Sequence, residues 1–182
     1  MQHSPSATEL IRSLRAVRRF DSRAIPASVL ADILESARWT GSAKNTQPWH
    51  LVVVRDRLSL QRLSSCGRFA SHVAGAAAAT VLVMDGPRSS LDAGRLAQNI
   101  MLAAWAHGVG SCIGSIFEEG EARAKELLGI PSDRWVPLAI SLGYPADESA
   151  RRVSTDATWS SVLPQLGRKP LAELASWEEY GG

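Results

Sequence analysis

Apolar residues recur at helical spacing through the first forty positions of the chain, then give way to short β-branched runs. Ser6 followed by Glu9 has the spacing of a capping box, and Leu10, Leu14 and Val17 continue one apolar face behind it. The spacing predicts a helix with Arg15 and Arg18 on a shared side. Pro26 opens a second helix whose buried stripe is Val29, Leu30, Ile33, Leu34 and Ala37 and whose end is Gly41. Residues 51–54 read as a central strand entered from Pro48, with residues 80–84 as its neighbour. A short helix is expected over residues 58–66. Residues 91–107, with Leu96, Ile100, Leu102, Ala103 and Ala104, predict a largely buried helix that stops at Gly108. Residues 121–128 give another helix ahead of Gly129 and Pro131, and residues 135–142 a last strand before the turn at Gly143-Tyr144-Pro145.

Past residue 146 the pattern loses its period. Trp159, Val162, Leu163, Leu166, Leu171, Leu174, Trp177 and Tyr180 are apolar, but Pro164 and Pro170 interrupt any long helix. A tail that cannot build its own core needs a surface to cover, on its own domain or on a second subunit. No repeat, low-complexity tract or linker divides the remainder, so the chain is read as one domain, 1–182, with 146–182 as an extension. A single domain of this size buries about 70% of its unfolded surface.

Composition excludes several function classes. The net charge is only +2, acids are interspersed among the arginines, and Arg151-Arg152 lacks interleaved aromatics, so no nucleic-acid partner is demanded. No run approaches the roughly 20 apolar residues that span a bilayer. No apolar run follows Arg18-Arg19 either, so a cytoplasmic protein without a membrane segment is expected. Cys66 and Cys112 are expected to be free, buried or half-buried thiols in a reducing compartment. His50, His72 and His107 lack ligand spacing and read as structural or surface side chains, and no metal site is expected. There is no GxSxG elbow, HExxH, CxxC pair or P-loop. The run from Gly108 to Gly114 does not have dinucleotide spacing and follows a helix, so its glycines are expected to end that helix and to let backbone approach a ligand.

Two segments carry the remaining chemistry. A phosphate monoester favours guanidinium donors that stay ionised, which Arg15 and Arg18 offer, although the same spacing also suits a solvated helix face. Residues 41–49 form a polar loop with the Ser42 hydroxyl, the Asn45 amide and several backbone N–H groups. These are free to bind a flat polar ring or to satisfy the loop's own backbone.

The runs RAVRRF at 15–20, SAKNTQPW at 42–49, GVGSCIGSIF at 108–117, LLGIP at 127–131, LGYPA at 142–146 and GRKPL at 167–171 together resemble the FMN-dependent nitroreductase family over most of the chain. The resemblance implies an α+β fold, with a central, mostly antiparallel sheet flanked by helices. It further implies an intertwined homodimer in which 146–182 embraces the partner, with one FMN at each subunit interface. Arg15 and Arg18 match positions that meet the FMN phosphate and its ribityl or pyrimidine end, with Ala16 between them, and Arg168 matches a late basic residue at the phosphate. Ser42, Ala43 and Asn45 match the loop that meets the flavin from the other subunit. Ile113, Gly114 and Ser115 match backbone near its reactive central ring.

The function implied is NADH- or NADPH-dependent reduction of nitroaromatic, quinone or related small acceptors by a ping-pong cycle. No protein side chain is assigned as general acid or nucleophile. Leu14 and Ala16 depart from the family, which often has a further Arg or Lys and a Ser there, and Arg19 or Lys169 is placed to compensate. Two alternatives follow from those departures and from relatives with the opposite electron flow: an FMN oxidase or dehydrogenase of a small metabolite, and a flavin-binding protein with little turnover.

Overall fold

Four antiparallel strands lie at the centre of the first unit of the chain, with helices on both faces. The computed structural model describes residues 6–147 and 169–180. The elements are α1 (Ala7–Ser13), α2 (Ala27–Arg38), β1 (Trp49–Val54), α3 (Arg57–Ser64), β2 (Ala78–Met84), α4 (Ser90–Ala106), β3 (Gly110–Ser115), α5 (Glu119–Leu128) and β4 (Trp135–Gly143). The sheet order is β1-β2-β4-β3, and every pair is antiparallel. This is the α+β architecture expected from the sequence.

β2 is buried along its whole length because both of its faces are covered. Ala78, Leu82 and Met84 join the cluster of α2 and α4, which includes Leu30, Ile33, Leu96 and Ile100. Ala79, Val81 and Val83 face the opposite way, toward Leu60 and Leu63 of α3, Val73 and Ala124 of α5. The alternation follows from the two-residue period of a strand. Each fully buried aliphatic side chain contributes about 1.5–3 kcal/mol.

Local chemistry sets the helix ends. Ser6 accepts from the Glu9 N–H and the Glu9 carboxylate accepts from the Ser6 N–H, completing the capping box. Asp56 caps α3 through the Ser59 N–H at 2.8 Å. Gly129 closes α5 in the left-handed region, as its place in the sequence suggested. α2 stops at Arg38, short of Gly41, where Asn99 of α4 donates to the buried Thr40 hydroxyl at 2.7 Å.

Two expectations need correction. The first helix does not reach Arg15 or Arg18. It ends at Ser13, and Leu14 turns the chain into an extended path. Ala16 then forms a parallel bridge with Ser111, and Phe20 an antiparallel one with Pro145. Sheet pairing and burial of Val17, 5% exposed, override the helical spacing of Leu10, Leu14 and Val17. Second, residues 110–115 form a strand where the glycines had suggested only a helix end and a ligand approach. Gly108 does end α4, with φ 76°, but Gly110 and Gly114 lie within β3.

Residues 169–180 belong to a separate unit that begins at residue 151. They contain a short 3-10 turn, Leu171–Glu173, and exposed Leu171, Leu174, Trp177 and Tyr180. Among the described residues no helix is long and apolar enough to cross a membrane.

Candidate functional site

β3 is a terminal strand, and the site is built on its outer edge. The Val17 N–H donates to the Ser111 carbonyl at 2.9 Å, so the Ser111 backbone points away from β4. Backbone direction alternates along an antiparallel strand, so the N–H and C=O of Ile113 and Ser115 point the same way. Consistent with that phase, the Ile116 N–H turns inward to the Pro137 carbonyl at 2.9 Å. Two segments flank this edge. Residues 14–18 cover it at Ser111. The loop that begins at Gly67 covers it at Ser115, where a Cβ added to Gly67 would lie 2.2 Å from the Ser115 carbonyl oxygen. Ile113, 39% exposed, lies between them.

Ala16 is thereby seated on Ser111 of the strand that carries Ile113, Gly114 and Ser115, with Arg15 and Arg18 on either side of it in the same segment. Their roles differ. Arg15 is half-buried, and its Nη1 donates to the carbonyls of Arg12 at 2.9 Å and Leu14 at 2.8 Å, which caps the end of α1. Arg18 is exposed and lies close enough to Cys112 and His72 to act on both electrostatically. A cavity of about 480 Å³ opens against Ala16, Arg18, Arg19 and Pro145. Gly114 is covered on its inner face by Ala70.

Cys66 and Cys112 are free and buried, as expected, and burial pushes both thiols up from their ordinary pKa. Near Cys112 the Arg18 guanidinium partly offsets that effect.

The loop after α2 carries Ser42, Ala43 and Asn45, and its backbone is strained at Lys44, Asn45 and Gln47. Lys44, Asn45 and Gln47 have φ of 53°, 54° and 48°. Such conformations cost non-glycine residues about 1–3 kcal/mol each and gather at ligand sites. Ser42 pins the loop by accepting the Gln47 N–H at 2.8 Å, and Ala43 and Asn45 remain exposed. The hydrogen bonds within this loop are local and do not tie it to the β3 edge. Arg168 lies outside the described residues.

The nitroreductase family model matches residues 11–144, a span that includes both flanking segments and the whole sheet. The chain belongs to the nitroreductase family. An Archaeoglobus fulgidus protein assigned as NADH dehydrogenase/NAD(P)H nitroreductase is 36% identical over 149 residues, covering 77% of this chain and 86% of that one. An NADH dehydrogenase from Thermus thermophilus is 28% identical and covers 74% of this chain and 84% of its own length. Among solved structures, an FMN-dependent nitroreductase from Clostridium difficile R20291 superposes with a TM-score of 0.73. It shares 26% identity and covers 83% of this chain and 94% of that one.

Two features of this member of the nitroreductase family were not legible as site components. Arg95 of α4 reaches the start of the strained loop, its Nη2 lying 2.9 Å from where a Gly41 Cβ would be. His72, 7% exposed, stands beneath the β3 edge, whereas His50 is exposed and His107 pairs with Asp32 at the surface. Only the i,i+3 or motif context of a histidine marks it in sequence, and His72 has neither.

Burial holds the His72 pKa below its ordinary value. Arg18 adds to the effect, and the carbonyls of Ile113 and Phe69 oppose it. The unfolded ring titrates near 6.5, so below that pH the unfolded chain binds a proton that the folded one resists. Stability from this residue is therefore complete above about pH 6.5 and is lost as pH falls through the folded value. Melting curves taken from about pH 7.5 to 5 are expected to show an acid-side decline that is smaller in His72→Gln. Parallel curves would show that His72 does not titrate with unfolding.

Proposed function

We propose that the chain is an FMN-dependent oxidoreductase that takes electrons from NADH or NADPH and passes them to nitroaromatic, quinone or related small organic acceptors in a ping-pong cycle. The observation that carries the reading is the 2.9 Å bond from the Val17 N–H to the Ser111 carbonyl. It sets the arginine-bearing segment against the β3 edge at Ser111, two residues before the part-exposed Ile113. The donor set suits FMN: an ionised guanidinium at Arg18 for the anionic end, and an outward-pointing strand edge for a polar ring. Family membership and the FMN-dependent relative in C. difficile support the same cofactor.

When bound, FMN supplies the hydride and electron chemistry. Arg18 would hold the phosphate or pyrimidine end and offset negative charge there, and Arg168 would add a second cation at the phosphate. Outward-pointing backbone of Ile113 and Ser115 would face the central ring, with Gly114 between them. In this reading the protein is a cytoplasmic homodimer. Ser42, Ala43 and Asn45 approach from the partner, and the 146–182 extension covers that partner with Leu171, Leu174 and Trp177.

Arg18→Ala and Arg168→Ala are each expected to weaken FMN binding by about 10- to 150-fold, the equivalent of a charged hydrogen bond of roughly 1.5–3 kcal/mol. Fluorescence titration of desalted protein measures this, and unchanged affinity in both variants would refute the phosphate site. Arg15 favours a second reading. Its Nη1 is engaged with the α1 carbonyls, and Leu14 and Ala16 supply no further charge or hydroxyl. That arrangement fits a flavin-binding protein of little turnover. Anaerobic NADH and then NADPH separate the two readings: rapid bleaching of the retained flavin identifies a reductase, and persistent colour identifies the binding protein or an oxidase of a small metabolite.

A further inference from the structure

His72 is joined to the candidate site by a buried chain of polar groups. Its Nδ1 lies 2.8 Å from the Ser141 Oγ, and that hydroxyl donates to the Cys112 carbonyl at 3.2 Å. Ser141 is fully buried in β4, directly across from Cys112 in the ladder. A hydroxyl has one proton. The Ser141 hydroxyl therefore bridges the ring and the Cys112 carbonyl, and which partner donates in the shorter contact follows the ring tautomer. Nε2 is buried and without a hydrogen-bond partner among the described residues. Leaving such a group unsatisfied is costly, and its retention implies a role beyond packing.

The same ring meets each piece of the site. It belongs to the 3-10 turn Ser71–Gly75, which continues the loop docked on Ser115. The carbonyls of Phe69 and Ile113 and the guanidinium of Arg18 all lie close enough to affect it. Those groups come from the covering loop, from β3 and from the arginine segment.

We propose that His72, oriented by Ser141, is a positioning residue that fixes the Cys112–Ile113 backbone and the adjacent Arg18, and thereby sets how the β3 edge meets the flavin. The proposal rests on the FMN reading given above. His72 touches neither flavin nor substrate in this role. It acts through the strand.

Three variants test it: His72→Leu, His72→Gln and Ser141→Ala, each titrated with FMN for affinity and then saturated with it for the other two readouts. The readouts are the FMN dissociation constant, the midpoint potential of the bound flavin and the melting temperature. His72→Leu is expected to raise the dissociation constant about tenfold and to move the potential toward that of free FMN. His72→Gln, whose amide can still donate to Ser141, should recover part of both changes, and Ser141→Ala should shift the potential in the same direction with His72 intact. Lower melting temperatures with wild-type potential and affinity would overturn the proposal, because they identify a purely structural residue. A wild-type protein that retains no FMN would instead overturn the cofactor reading, a result distinct from failure of the variants alone.

Discussion

Alanine at Gly67 is expected to cost about 3 kcal/mol of stability, the upper end of ordinary overpacking, and to lower the melting temperature by roughly 6–12 °C. The obstruction is main chain: the added Cβ would lie 2.2 Å from the Ser115 carbonyl oxygen and 3.0 Å from the Ala70 Cβ. A flexible side chain would swing aside, but a strand carbonyl cannot do so without moving β3. The variant should therefore also lose affinity for FMN, since Ser115 and Ile113 share the displaced edge. Gly94→Ala is the matched contrast. Gly94 is exposed in α4 with no heavy atom near its Cβ position, so alanine there should stabilise by up to about 1 kcal/mol. Thermal unfolding of both variants decides the point. A Gly67→Ala protein that melts with the wild type would show that the loop is not seated on β3.

Alanine at Gly110 should detach the arginine segment while leaving the sheet folded. Its Cβ would lie 2.7 Å from the Val17 Cβ and 2.8 and 2.9 Å from the two Cγ atoms. Relieving that overlap requires residues 14–18 to move off β3, which breaks the Val17–Ser111 bond and displaces Arg15 and Arg18 together. A loss of about 2 kcal/mol is expected, with FMN affinity reduced at least about tenfold. Val17→Gly removes the obstructing atoms, so the double variant should be more stable than the sum of the two single changes predicts. Strict additivity would show that the two positions do not oppose each other.

Much of the fold was legible because it is local. The stripe Leu30, Ile33 and Ala37, the Ser6–Glu9 capping box, the apolar runs of β1 and β2, and the stop at Gly129 each write a structural period or a cap directly into neighbouring residues. The arginines were recognised for the right chemistry on the wrong element. Leu10, Leu14 and Val17 satisfy a helical period, and nothing nearby in sequence reports that Val17 will be claimed by Ser111, almost a hundred residues away.

β3 was missed for a related reason. Three glycines in seven residues weaken strand propensity, and only the packing of Val17 and Ala70 against Gly110 and Gly114 explains them. By itself, then, the sequence determined most of the helices, the three apolar strands, the two thiols and the resemblance that names the family and, with it, the α+β class. The tertiary structure alone decided that Arg18, Ile113 and the Gly67 loop share one strand edge and that His72 lies beneath it. Periodicity and capping are properties of contiguous residues, whereas a strand edge and a buried histidine exist only once distant segments have packed.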